Sequence, residues 1–409
     1  MDPTVALASV VRSERGRLVA TLVRRYGFDL AEEAVDAAIE AALARWPTEG
    51  APASPRAWLL AVARRRAVDR VRQRARTDAL RDTLAVVGPE EAADDDLDAA
   101  DLPDDRLRML FTCCHPAIAR EAQVALALRW LSGLSTEDVA RAFCVPVPTM
   151  AQRLTRAKSK IEAARIPYEV PEASELAARV SSVLEVVYAI FNEGYVATAG
   201  DELQRVDLAD EALRLAELVA ALLPESAEAK GMLALLLLIH ARRAARVDAS
   251  GELVPLEDQD RSRFDAAAVA RGKASLAEAL AAGPPTAYAI EAAIQALHDD
   301  APSWGETDFA QIVHLYELLA ARAPSPIVRL NQAVARSMVE GPEAGVAEIA
   351  ALTAEPALAE HPALHAATAD LLRRAGRAAE ARDAYDRAIA ATKNEAERRF
   401  LKKRRSSLG

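Results

Sequence analysis

The sequence predicts an all-α chain, on three observations. Glycine is scarce, 16 residues in 409, and aromatic residues make up only 4%, so two of the usual materials of sheets and their turns are thin. Alanine is abundant, and it is the strongest helix former. Apolar residues recur at spacings of three and four behind residues able to cap a helix. At roughly 100–200 residues per domain, the length suggests two to four domains. With 51% apolar and 27% charged residues, the chain has enough material for packed cores.

The first module opens with Asp29, which can cap a helix with Glu32 as its capping-box partner. Val35, Ile39, Leu43 (or Ala42) and Trp46 follow at helical spacing, and Pro47 is expected to end the helix. A loop with three prolines and one glycine, PTEGAPASP, leads to Ser54 and Pro55, the cap and first turn of a second helix. Its first half is apolar. Its second half carries Arg64, Arg65, Arg66, Arg70, Arg72, Arg74 and Arg76. Such a helix repels itself unless a polyanion or counterions screen it. Arginine outnumbers lysine 44 to 7 over the whole chain, so position on a helix is more informative than arginine count.

The spacer GPEEAADDDLDAADLPDD reads as a flexible, solubilising tether. Residues 82–105 hold ten acids and no base.

The second module is the most specific stretch. Gln123 to Leu131 is an apolar helix ending at Ser132-Gly133. LSTEDVARAFCVPVPTMAQRLTRAKSKI follows. Ser135 caps, Asp138 sits three residues on, and a short turn, CVPV, precedes a second helix. There Met150, Leu154, Ala157 and Ile161 form one apolar stripe, and Gln152, Arg156 and Ser159 point away from it. Thr149, Arg153, Thr155, Lys158 and Lys160 flank them. Two helices, a tight turn and a polar, basic second helix describe a helix-turn-helix. Glutamine and arginine can read base edges in the major groove, and flanking cations suit phosphates.

These two stretches carry a resemblance. WLLAVARRRAVDRVRQRAR, after an acidic amphipathic helix, resembles region 2 of the sigma-70 family of transcription initiation factors. LSTEDVARAFCVPVPTMAQRLTRAKSKI resembles region 4. Two regions joined by a short linker resemble the extracytoplasmic-function (ECF) group. RIPYEVP, FNEGY and LEDQDRSRF resemble the subgroup with a long tetratricopeptide-like extension. The implied architecture is two small helical sigma domains, a region 2 bundle and a region 4 helix-turn-helix, then a helical-repeat domain. The expected boundaries are 1–81, an acidic linker at 82–105, 106–166, a helical extension at 167–285 and repeats at 286–409.

The resemblance implies core RNA polymerase and promoter DNA as partners. Val35, Asp36 and Ile39 match the polymerase-binding helix. Arg56, Arg64, Arg65, Asp69 and Arg72 match the face that captures the −10 element. Thr149, Gln152, Arg153, Thr155, Arg156 and Lys160 match the −35 reading positions. The chain departs from the family where Asp36-Ala37 replaces a common Gln-Glu, Arg65 replaces an Asn, and Cys144 replaces a Gly. A helix-turn-helix regulator acting without polymerase is the alternative, and residues 29–81 speak against it.

Net charge is −10, yet it is unevenly spread: +5 over 1–81, −10 over 82–105, +6 over 106–165 and −11 beyond. The acidic total therefore does not exclude a DNA partner. Cys113, Cys114 and His115 invite a metal or redox reading. Adjacent side chains point apart on a helix, however, and buried packing is the expectation. No metal, cofactor or catalytic activity is expected. G-x-G and H-E-x-x-H patterns are absent, and the longest apolar run, Met232 to Ile239, is far too short to span a bilayer. A cytoplasmic location follows from the sparse cysteines and the lack of a leader.

Beyond Pro171 the pattern changes to Ala/Leu-rich helix pairs. Gly341 and Gly376 stand 35 residues apart at matching places, with Ala381, Tyr385 and Ala388 at repeat spacing. Pro224, Pro284 and Pro324 close helices. About four pairs are expected, with an insert between Ala245 and Phe264. Asn192, Glu193, Tyr195, Gln259, Asp260 and Arg261 are candidates for a protein- or ligand-binding surface on the repeats, or else for buried groups that fix loops. Arg398 to Arg405 reads as a solvated basic end of the last helix.

Overall fold

The computed structural model describes residues 3–81, 103–143, 145–198, 200–356, 358–359 and 361–408. Of the acidic linker expected over 82–105, residues 82–102 lie outside the described residues, as does Cys144, while 103–105 form the first turn of a helix and not linker. Among the described residues there are seventeen α-helices and no β-strand, only two isolated bridges. The all-α expectation holds. The chain divides into two compact units, Met1–Val186 and Val187–Gly409.

Unit 1 begins with α1 (Pro3–Glu49), which is broken at Gly27, where φ is +74°. A side chain disfavours that backbone, so glycine marks the bend. Helix α2 (Pro55–Arg81) follows, then α3 (Pro103–Cys113) and α4 (Arg120–Leu126). A π-helical turn over Ala127–Leu131 extends α4. Helices α5 (Thr136–Ala142) and α6 (Val147–Ala163) come next, and α7 (Ala173–Tyr195) carries the chain across the unit boundary.

Leu18, Leu22, Leu59, Met109, Leu110, Phe111, Leu126, Leu128 and Trp130 are fully buried. These residues come from both basic modules of the sequence. Phe28 stacks on Trp130 at 4.0 Å, and Tyr168 donates to the carbonyls of Ala20 (2.9 Å) and Asp105 (3.0 Å). The first half of α1 approaches the π-turn so closely that a Cβ on Gly16 would lie 2.4 Å from the Leu131 carbonyl oxygen and 2.8 Å from that of Trp130. Only a glycine fits there.

Three local expectations are corrected. Pro47 does not end its helix: α1 runs on to Glu49 with Pro47 inside its last turn. Proline lacks only one N–H bond there and its φ suits a helix. Ala42, not Leu43, completes the apolar face; Leu43 is half exposed. Asp29 and Glu32 do not serve as a capping pair. Their carboxylates pair instead with cations far along the chain, as set out below.

Unit 2 is a succession of helices in which each packs on its chain neighbours. They are α8 (Val206–Leu222), α9 (Ala227–Ala241), α10 (Ala266–Ala281), α11 (Ala287–Asp300), α12 (Phe309–Arg322), α13 (Pro326–Glu340), α14 (Pro342–Leu352), α15 (Pro362–Arg374), α16 (Ala378–Ala391) and α17 (Glu395–Ser406). Ser226, Asp265, Thr286, Asp308, Ser325 and Asn394 each accept the backbone N–H three residues on, which satisfies an otherwise open helix end. Gly341 and Gly376, with φ of +94° and +76°, sit in the tight turns between α13 and α14 and between α15 and α16. Ala381, Tyr385 and Ala388 are buried together against α15 and α17.

Ten helices, α8–α17, lie among the described residues of this unit where about four pairs were expected, and the basic end belongs to a packed helix, α17. Asn394 is wholly buried; its amide donates to the carbonyls of Ala197 (2.9 Å) and Glu202 (2.8 Å). Glu395 N–H donates to Gly200 O at 2.9 Å. Arg399 pairs with Glu252 at 2.7 Å, Arg404 with Glu257 at 3.0 Å, and Arg405 with Asp386 at 2.6 Å. These arginines are therefore engaged in ion pairs, where a solvated tail was expected. The last helix of the unit is fastened to its first loop.

Candidate polymerase and promoter interface

The three residues matched to polymerase binding fall on the second half of α1, but not on one surface. Val35 is wholly buried, so it stands behind any docking face. Ile39 is half-buried. Asp36 is half-exposed and already occupied. Its Oδ1 accepts from Arg15 Nε at 3.0 Å, and its Oδ2 from Arg129 Nη2 at 3.2 Å.

Asp36 is one edge of a larger ion network. Glu32 is buried and meets Arg129 Nε at 2.9 Å, Arg15 Nη2 at 3.5 Å and Lys158 Nζ at 2.5 Å. Lys158 also meets Asp29 at 2.9 Å. Burial opposes ionisation of Glu32, but Arg129, Lys158 and Arg15 outweigh it and hold its carboxyl below the ordinary range. Lys158 mirrors this: burial pulls it down, and Glu32 and Asp29 outweigh the pull and raise it. Arg129 adds two more bonds: its main-chain carbonyl accepts from Arg15 Nη1 at 3.1 Å, and its side-chain Nη1 donates to Leu134 O at 3.0 Å. The network thus ties α1 to the π-turn and to α6. No local sequence pattern marks it.

The residues matched to −10 capture lie along α2. Arg65, Asp69 and Arg72 are exposed, and Arg64 is half-buried. Arg56 is nearer the base of the helix and lies 3.6 Å from Glu14. Trp46 and Trp58 meet edge to face at 5.5 Å and fix α2 against α1. Arg70, exposed on α2, pairs with Glu33.

The residues matched to −35 reading share α6. Met150, Leu154, Ala157 and Ile161 are buried, as their spacing predicts. Thr149, Gln152, Thr155, Arg156 and Lys160 are exposed. Two of the six are partly committed: Arg153 lies 3.3 Å from Glu121, and the Thr155 hydroxyl donates to the Ala151 carbonyl of its own helix at 2.9 Å. Ser135 accepts the Asp138 N–H at 3.0 Å, so the predicted cap of α5 forms. Gln152 and Arg156, one turn apart, are the best-presented pair on this face.

Cys113 and Cys114 are buried in unit 1, and burial pushes the Cys114 thiol up to about 12. A thiol held so firmly in its neutral form is a poor nucleophile and metal ligand. No group of three or more potential metal-binding side chains occurs among the described residues.

In unit 2 the candidate surface residues take mainly structural places. Gln259 is buried and donates to Val254 O at 3.0 Å; Asp260 caps a short turn through Ser262 N–H at 2.9 Å; Arg261 Nε donates to Ala301 O at 2.7 Å. Glu193 accepts from the Thr198 N–H at 3.2 Å, and the Tyr195 ring lies 3.4 Å beneath the Arg246 guanidinium. Asn192 and Asp260 are exposed. Near Arg261, sequence reasoning missed a polar knot. Arg242 and Asp299 are sealed from solvent 3.5 Å apart. Burial raises Asp299 to about 6 and lowers the adjacent His298 to about 3.

Comparison with known proteins now adds to the geometry. Residues 11–77 match the model for sigma-70 region 2, and residues 179–280 match a family of unknown function, DUF6596. Over 394 residues the chain is 43% identical to an uncharacterized protein of Rhizobium meliloti (strain 1021), covering 95% of this chain and 93% of that one. The chain belongs to the same family as that protein, and it carries a sigma-70 region 2 domain, which supports a place among sigma-70 proteins. A sigma-70 region 2 points to sigma-like binding of core RNA polymerase and a place in transcription initiation. No helix among the described residues is long and apolar enough to cross a membrane.

Proposed function

We propose that the chain is an ECF-type sigma factor that directs core RNA polymerase to a small promoter set. Helix α2 receives the unpaired −10 bases, whose capture needs cations beside the displaced strand. Helices α5 and α6 act as a helix-turn-helix that reads the duplex −35 element. The tetratricopeptide-like helices of unit 2 govern when this happens.

One observation carries the reading: α6 buries its apolar stripe and presents Gln152 and Arg156 outward, in a chain that also carries region 2. Arginine and glutamine at that place suit major-groove base edges, each worth about 1–3 kcal/mol of discrimination. Run-off transcription with core polymerase tests it. Promoter-specific initiation by the full chain, lost in Arg156→Ala, is expected. Duplex binding without initiation would instead favour a regulator that acts alone.

A further inference from the structure

We propose that the segment from the π-turn through α6 is a competitor, within the same chain, for the side of α1 that polymerase binds. The proposal rests on the sigma-factor reading above. Asp29, Glu32 and Asp36 follow one another at three and four residues, so they share a face of α1. Each of them already holds a cation from beyond residue 128: Arg129 bridges Glu32 and Asp36, and Lys158 bridges Glu32 and Asp29. Beneath the charges lies an apolar seat, Phe28 on Trp130, beside the close approach at Gly16. A polymerase surface that needs Asp36 must first displace Arg129.

The contact leaves the DNA-reading side open. Lys158 lies two residues past Arg156, about 200° around the helix. Arg156 and Gln152 are exposed while Lys158 is engaged. The closed body therefore withholds the polymerase face without withholding α6 from duplex DNA.

The strengths of the pairs suit a reversible latch. Glu32 is buried and keeps three cations, whereas the side chains of Asp36 and Asp29 are 45% and 66% exposed. Exposed pairs are weak and screened by salt. A closed state of this kind lowers the apparent affinity for polymerase in proportion to its population.

The test uses the full chain labelled at Glu40→Cys and Ser159→Cys, with Cys144→Ser to remove a competing thiol. Energy transfer between the dyes reports closure, and binding of purified core polymerase is measured in parallel. High transfer is expected in the free protein, falling when core polymerase is added. The double variant Arg129→Gln/Lys158→Gln should show low transfer on its own and bind core polymerase at least tenfold more tightly. Arg129→Gln alone leaves Glu32 with Lys158 and Arg15, and serves if the double variant folds poorly; it should fall between the two. Low transfer in the free wild-type chain, or polymerase affinities equal within twofold across all three proteins, would overturn the proposal. High transfer with no polymerase binding by any form would instead overturn the sigma-factor reading beneath it.

Discussion

Arg129 Nη2 lies 3.2 Å from Asp36 Oδ2, an ion pair between residues 93 positions apart. The same guanidinium reaches the buried Glu32. Removing one member of a buried ionic group costs more than the group contributes, because the remaining charge is stranded. Arg129→Ala is therefore expected to destabilise unit 1 by about 2–4 kcal/mol, seen as a lower denaturant midpoint with an unchanged slope. Asp36→Asn, whose side chain is half exposed, should cost under about 1 kcal/mol.

Gly16→Ala adds one methyl group where two backbone carbonyl oxygens stand within 3 Å. Backbone cannot swing aside as a long side chain can. The substitution is expected to cost about 1–3 kcal/mol and to part α1 from the π-turn. Loss of Phe28–Trp130 stacking should appear as a red shift in tryptophan fluorescence. A spectrum and stability equal to wild type would show that the helices are not so close in solution.

Helical periodicity made much of unit 1 legible. The stripe Met150, Leu154, Ala157 and Ile161 and the Ser135 cap are local patterns, and they formed as read. The ion network was not legible for the opposite reason. Asp29 and Glu32 look like a capping pair to any rule that sees only neighbours, while their partners, Arg129 and Lys158, lie about a hundred residues away. Val35, matched to polymerase binding yet also one of the apolar series, is wholly buried, because the acidic and apolar faces of α1 meet at that position. In unit 2 the glycine spacing pointed to helix pairs. Nothing local marked Asn394.

Asn394→Ala removes donors from the carbonyls of Ala197 and Glu202 together with the acceptor of Glu397 N–H, all at a wholly buried site. A cost of about 2–4 kcal/mol is expected from the stranded backbone groups and the lost cap. Asn394→Asp keeps the cap but not the donations, and should recover less than half. Thermal melts of the two variants separate these contributions.

His298 and Asp299 give unit 2 opposed responses to acid. Burial, then Arg242 and Arg261, lowers His298 from 6.5 to about 3, so it stays neutral in the fold. As pH falls below 6.5 the unfolded chain gains that proton and the folded chain does not, so stability falls. Burial raises Asp299 from 3.8 to about 6, against the pull of Arg242 and Arg261 and with a push from Asp300. As pH falls below 6 the folded chain gains this proton first, so stability rises. Asp299→Asn leaves only the first response. Between pH 7 and pH 5 it should lose about 2 kcal/mol at this site, while the wild type loses less than half as much. Equal losses in calorimetric melts would show that Asp299 stays ionised in the fold.

A ladder of helix pairs that ends in open water frays from its last rung inward. Unit 2 has no such loose rung, because α17 is stitched by Asn394, Glu395, Arg399 and Arg404 to segments that precede most of the other helices. Its two ends guard each other. The unit should melt as one block, and hydrogen exchange should slow as much in α17 as in α9.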